Sequence, residues 1–333
     1  MITGTRHFSR LQRAALLCAL LAGAMAALPA WAAWPAAPVK IVVPYAPGGP
    51  GDMLGRLAAS ILEKSYQQTF YVENRPGAGG AVAALAVSKA TPDGQTLLLT
   101  AIGSLAIGPA YADPGYHPLR DFSHIALLGS VPIVLVVNPN LPVRDVKSFI
   151  AHASADKSGI NWGSVKGTLP QLMGVMFVAS AGLGNAVHVG YKGDAPVIND
   201  MLGGHIHAAF MSLGAAREQI KAGNFRALAI STPRRNGDFK DLPTFAELGY
   251  PQLTAAAWFC LSAPGGLPPD VMEKLSLAVR KGFRQPEARK MLMSQDMDFP
   301  DLDPVETGRF IEAEMQRWKS LVHTIERTPG ATK

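Results

Sequence analysis

One stretch constrains this chain more than any other: Tyr45-Ala46-Pro47-Gly48-Gly49-Pro50-Gly51-Asp52. Just before it, Val39 to Pro44 is an apolar run of a length suited to one buried strand. Just after it, Met53 to Lys64 carries Leu54, Leu57, Ala58, Ile61 and Leu62 at helical spacing. The segment therefore reads as strand, glycine-rich turn, helix. Glycine has no Cβ, so the backbone can approach a guest closely. The first amides of a helix lack partners within it, and the helix dipole is positive at that end. A small anion, most simply a carboxylate, suits such a place. The spacing is neither Gly-x-Gly-x-x-Gly nor a loop ending in Gly-Lys-Ser/Thr, so nothing supports a nucleotide. The plainer alternative is a tight turn with Asp52 capping the helix.

The first 32 residues read as a leader. Arg6, Arg10 and Arg13 form a basic start, Ala14 to Ala27 is apolar but short for a membrane span, and Pro29-Ala30-Trp31-Ala32 offers a small-x-small cleavage site after Ala32. Cys18 lies inside this stretch without the small residues a lipid-attachment site needs before it, so a soluble exported protein is expected, in the periplasm. Removing the leader lowers the formal charge from +6 to +3, because it carries three arginines and no acid. No basic run remains to suggest nucleic acid. Cys260 is then the one cysteine left, in an apolar run, and is expected to be a buried, inert thiol.

Beyond the leader, apolar strands alternate with amphipathic helices, which argues for α/β sheets that are mostly parallel. Strands are expected at 70–75, 96–102, 122–129, 131–138, 160–164, 187–191, 207–212, 226–231 and 255–263. Helices are expected between them, and three more close the chain at 269–284, 287–295 and 304–326. About 300 residues exceed what one core usually holds, so two domains are expected. Breaks near Asn138-Pro139-Asn140-Leu141-Pro142 and near Tyr250 suggest that the chain crosses to a second lobe and returns. One lobe then comprises 34–138 with 254–333, and the other 139–253. In open α/β sheets a ligand sits outside the carboxyl ends of the strands, where the loop 45–52 lies. The facing candidate is Gly163-Ser164-Val165-Lys166-Gly167-Thr168, again between a strand and a helix, with hydroxyl donors on Ser164 and Thr168.

These motifs together resemble the Bug, or tripartite tricarboxylate transporter, solute-binding receptors. The resemblance rests on Ile41 to Asp52, on Val72-Glu73-Asn74-Arg75-Pro76-Gly77-Ala78-Gly79-Gly80, and on Pro92-Asp93-Gly94-Gln95-Thr96-Leu97-Leu98. It continues through Tyr191-Lys192-Gly193, Leu202-Gly203-Gly204 and Leu242 to Gly249. It implies a two-lobed periplasmic binding protein of the Venus-flytrap kind, type II, each lobe a mixed, mostly parallel sheet flanked by helices. It also implies a small carboxylate held between two loops by backbone groups and water. Tyr45, Ala46, Pro47, Gly48, Gly49 and Asp52 then belong to the first loop, and Ser164, Gly167 and Thr168 to the second. Ser104, Met211 and Ser212 line the cleft. The implied partners are a dicarboxylate, amino acid or aromatic acid as ligand, and a membrane permease, for a monomeric protein that needs no cofactor. The second loop departs from the family: Lys166 replaces a pair of residues, Gln171 stands where relatives carry histidine, and His207 where they carry an acid.

Lys166 is the one cation among these positions. It either contacts the bound anion directly or is a solvated lysine on the rim. His205 and His207 share a strand face, but no third ligand stands out and structural roles are expected. Asp52 would repel a carboxylate unless it caps the helix or meets an amine. Glu73 and Arg75 read as an ion pair at a strand end, and Trp258 as core or hinge. Two other functions compete. A carboxylate-processing enzyme is disfavoured because no Gly-x-Ser-x-Gly, His-Glu-x-x-His or Cys-x-x-Cys occurs and Ser164 has no obvious base. A sensor protein docking on a membrane kinase would share every feature of a transport receptor.

Overall fold

The computed structural model describes residues 34–156, 159–235 and 237–326, so the expected leader lies outside the described residues. Strand β1 (Val39–Val43) feeds the glycine loop and helix α1 (Pro50–Tyr66). β2 (Phe70–Asn74), α2 (Ala81–Ser88) and β3 (Thr96–Ala101) follow. A π-turn over Gly103–Ile107 then runs into the short helix α3 (Gly108–Tyr111). β4 (Phe122–Val137) is the longest strand. After it come α4 (Val146–Ala155), β5 (Asn161–Val165), α5 (Leu169–Ser180), β6 (Val187–Tyr191) and α6 (Asp194–Leu202). The alternation continues through β7 (Ala208–Ser212), α7 (Leu213–Lys221), β8 (Arg226–Ile230) and β9 (Ala256–Pro264). Helices α8 (Pro269–Phe283), α9 (Pro286–Ser294) and α10 (Pro304–Glu326) end the chain.

The strands run in the order β2-β1-β3-β9-β4-β7-β5-β6, with β8 on the other edge of β4. β1 pairs in parallel with β2 and β3, and β5 in parallel with β6 and β7. β9 and β4 run antiparallel to their neighbours. The result is the two-lobed, mixed α/β arrangement expected from the strand–helix rhythm. β4 belongs to both halves. Its residues from Phe122 to Pro132 pair with β9, and those from Ile133 to Val137 pair with β7 and β8.

Two expectations change here. The runs at 122–129 and 131–138 are one strand. Val131 and Ile133 through Val137 are fully buried, so no polar–apolar alternation marks a boundary between them. Register slips at His124/Ala126 and Leu127/Gly129 bend the strand rather than ending it. The exchange of sheet partners therefore falls at Pro132–Ile133. Asn138 marks the turn after the strand, where its side chain accepts from the Asn140 N–H and donates to the Met201 carbonyl.

The anticipated single residues fall into place around this frame. Cys260 is buried beside Ser262, and burial pushes its thiol up to about 11. Arg75 pairs with Glu73 at 2.7 Å, and Lys40 reaches the same carboxylate. His207 Nδ1 accepts the Asn161 N–H at 2.9 Å, a structural contact between strands. Arg217 on α7 pairs with Asp296, tying that helix to the segment after α9.

Trp258 points to the core under α10. Glu314 accepts from its indole N–H at 2.9 Å and from the Trp318 indole at 3.0 Å. Both tryptophans are buried, so the carboxylate satisfies two donors that water cannot reach. Glu314→Ala is expected to cost about 3 kcal/mol in urea unfolding, while Glu314→Gln, which keeps one acceptor, costs less. Equal stability of both variants with the parent would show that these bonds contribute nothing.

Candidate binding cleft

Four helices start at one cavity. α1 begins at Pro50 with Gly49 as its N-cap, and α5 at Leu169 with Thr168. α6 begins at Asp194 after Gly193, and α7 at Leu213 after Ser212. None of the four caps accepts a side-chain bond from its own helix. Their first N–H groups therefore remain available to a guest. All four caps line the same cavity of about 60 Å³. Tyr45, Ala46 and Gly51 complete one wall, Val165 and Pro170 another, and Val131, Ile133, Ala257 and Phe259 form an apolar floor from β4 and β9.

Each loop is held from behind. Asp52 is buried at the third position of α1 rather than at its cap. Its carboxylate accepts from the Gly48 N–H at 3.1 Å, from Asn74 Nδ2 at 2.8 Å and from Arg56 Nε at 2.9 Å. The Asn74 amide also donates to the Tyr45 carbonyl. Burial alone would raise the Asp52 carboxyl, but the Arg56, Asn74 and Gly48 bonds outweigh it and hold the group below its ordinary range. Tyr45 packs edge-on against Phe259, with centroids 6.1 Å apart. Burial and the charge of Asp194 push its phenol upward.

The second loop has its own support. Gln171 Oε1 accepts the Gly167 N–H at 2.7 Å, and the Gln171 amide reaches His188 Nδ1 at 3.4 Å. His188 Nε2 lies 2.7 Å from Ser164 Oγ. Burial, aided by the nearby Lys166 charge, lowers the His188 pKa and favours the neutral ring. Ser164 thus does have a histidine partner, which β5–β6 pairing supplies across 24 residues of sequence. Thr168 Oγ1 donates to the Val165 carbonyl at 2.6 Å, tightening the loop instead of accepting from the helix.

The two sides touch through glycines. A methyl built on Gly79 would sit 2.1 Å from the Gly167 carbonyl oxygen, and one on Gly103 would sit 2.8 Å from it. Gly79 and Gly167 have φ of +62° and +76°, a region that glycine occupies without strain. On the other flank, a methyl on Gly193 would lie 3.1 Å from Ala46 Cβ. The cleft is shut in this structure.

Of the positions anticipated from sequence, Tyr45, Ala46, Gly49, Thr168 and Ser212 line the cavity. Pro47 and Gly48 are exposed at its edge. Asp52, Ser164 and Met211 are buried behind the wall, as is Ser104, whose hydroxyl bonds back to Ala101 and whose carbonyl accepts from Tyr116. Gly167 makes the glycine contact. Lys166 is exposed, with its side chain lying along Gly190, and does not line the cavity. Sequence reasoning missed Asp194, Gly79, Gly103 and the apolar floor. The glycine turns at 77–80 and at Gly193 repeat the strand–glycine–helix pattern and could have been read as walls. Nothing local marks Ala257 or Phe259.

Two polar groups in the cavity stand without partners. Ser212 Oγ is buried and makes no hydrogen bond. Asp194 is the only charged side chain among the lining residues, and burial pushes its carboxyl up to about 6.

Comparison with known proteins identifies the family. The sequence model of the tripartite tricarboxylate transporter family receptor matches residues 54–327. The chain is 33% identical to Protein BugT of Bordetella pertussis over 278 residues, covering 83% of this chain and 85% of that protein. MatC of Rhodopseudomonas palustris, solved with bound malate, superposes with a TM-score of 0.82 at 28% identity, covering 87% of this chain and 100% of that one. A second R. palustris protein, Rpa4515, solved with adipate, superposes with a TM-score of 0.82 at 32% identity, covering 87% and 98%.

The Asp52 network gives a pH test. A carboxyl held below its unfolded value stabilises the fold above about pH 4, and that contribution is lost as pH falls through the folded value. Asp52→Asn is expected to lower stability by about 1–3 kcal/mol at pH 7. The gap from the parent should narrow towards pH 3 in urea titrations; a gap independent of pH would contradict the assigned network.

Proposed function

This chain belongs to the tripartite tricarboxylate transporter family of receptors, and from that premise we propose that it binds a small carboxylate in the cleft and presents it to a membrane permease. The observation that carries the reading is the buried, unpartnered Ser212 hydroxyl at a cavity onto which four uncapped helix starts open. Each is a donor without an acceptor, and together they can surround one carboxylate without a metal or a cation. The relatives solved with malate and adipate support the same ligand class.

On this reading one lobe runs from 34 to the middle of β4 and resumes with β9 through α10, the other holds what lies between, and β4 crosses from one to the other at Pro132–Ile133. In the open state the guest meets the loop 45–51, and closure brings Thr168, Gly193 and Ser212 onto it. Ligand favours the closed state only through the contacts it gains there. The apolar floor excludes water and so strengthens the hydrogen bonds that remain. The closed outer surface is what a permease reads. The Ser164–His188 pair is not a nucleophile with its base, because Ser164 is fully buried and does not line the cavity. The ligand is released chemically unchanged. The setting is the periplasm, in keeping with relatives described as periplasmic and with the lack of a helix long and apolar enough to cross a membrane among the described residues.

Three outcomes follow from this reading. At least one member of a panel of small carboxylates, plain and amino-substituted, is expected to raise the melting temperature of the mature protein, since ligand binds only the folded form. A response confined to sugars would reject the carboxylate class. Ser212→Ala should weaken binding about tenfold at unchanged stability, the loss of one hydrogen bond to a charged group. Gly79→Ala, whose methyl would strike the Gly167 carbonyl, should leave the fold intact yet abolish ligand-driven compaction in small-angle scattering.

A further inference from the structure

A carboxylate guest leaves one feature of the cleft unexplained. Among the described residues, Asp194, the first residue of α6, is the only charged side chain lining the cavity. Its Oδ2 lies 3.1 Å from where a Cβ on Gly49 would stand, so it reaches across the gap to the first loop. It makes no ion pair or side-chain hydrogen bond with any described residue. No described lysine or arginine lines the cavity. Lys192, two residues earlier, is exposed, and Lys166 lies outside the wall. Tyr45 is the other titratable group facing this space, and it feels the Asp194 charge.

Charge counting then constrains the guest. A dicarboxylate would bring two negative charges into a narrow space that already holds a third and, among the described residues, no cation. Like charges at such separations repel strongly once water is excluded. Asp194 is half-buried and has no partner among the described residues, so its charge is partly desolvated without compensation. A guest carrying an ammonium group beside its carboxylate removes both costs.

We propose that Asp194 makes this receptor selective for zwitterions: the ammonium of an amino acid sits on the Asp194 carboxylate, while its carboxylate takes the helix N–H groups and Ser212. The inference rests on the carboxylate-receptor reading and refines it. Burial pushes the Asp194 carboxyl up, and an ammonium beside it would oppose that push.

Matched ligand pairs test this on the mature protein by isothermal titration calorimetry. The pairs are L-aspartate with succinate, L-glutamate with glutarate, L-2-aminoadipate with adipate, and L-phenylalanine with 3-phenylpropionate. The amino acid of the best-binding pair is expected to bind at least about tenfold tighter than its partner, the scale of a charge-assisted bond. Asp194→Asn should erase that preference, weakening the amino acid and leaving or strengthening the plain acid. Because the wild-type comparison alone reads the preference, a poorly folding variant would not protect the idea. Tighter binding of the plain acid would overturn it, as would proton uptake on binding seen by comparing two buffers, which would mean that Asp194 shares a proton with an acid. An equal loss for both members of a pair in Asp194→Asn would also overturn it. Binding of neither class would overturn the carboxylate reading itself.

Discussion

Unpaired backbone N–H groups at the starts of α1, α5, α6 and α7 are what this cleft has in place of a cation. Each helix carries partial positive charge at its start, and each N-cap leaves its helix unbonded. Pro50 and Pro170 sit in the first turns of α1 and α5 without an N–H of their own, so the donors there are the neighbouring amides. Donors built into the backbone cannot swing away as a lysine can. Such a wall is prearranged for a small anion and costs little to organise when one arrives.

The wall works only if two halves of the chain can meet, and glycine makes that possible. Gly79 and Gly167 bring main chain against main chain, closer than any side chain would permit. Behind the contact the loops are stiffened independently. Asp52 gathers Gly48, Asn74 and Arg56 on one side, while Gln171, His188 and Ser164 support Gly167 on the other. The polar residues most prominent in the sequence serve this support, and most of the surface a guest would touch is backbone, glycine and apolar side chain.

Much of the frame was legible because it is local. Strand, glycine turn and helix alternate with a period that composition and spacing reveal, and most element boundaries fell within two residues of expectation. β4 was read as two strands because both its faces are covered, so its apolar run carries no periodic mark. The roles of individual polar residues were harder. Read along the chain, Asp52 could be a helix cap or a ligand contact, and Ser164 a hydroxyl donor to the ligand. Their partners come from Asn74 and His188, which only sheet pairing brings near. Lys166 could be read either as a counter-charge for an anion or as a solvated lysine on the rim, and only the fold shows it exposed at the end of β5, lying along Gly190.

The sequence by itself determined the two-lobed α/β class and the glycine-rich starts of the helices, because backbone freedom and hydrophobic period are written residue by residue. It determined the kind of guest to the extent that a helix start favours an anion. Only the tertiary structure decided which of those starts share a cavity, that Ala257 and Phe259 lie beneath it, and that Asp194 faces it alone. Those facts depend on strand order and on closure between segments more than a hundred residues apart. No local pattern encodes such a juxtaposition, because what places Asp194 beside Gly49 is the packing of everything between them.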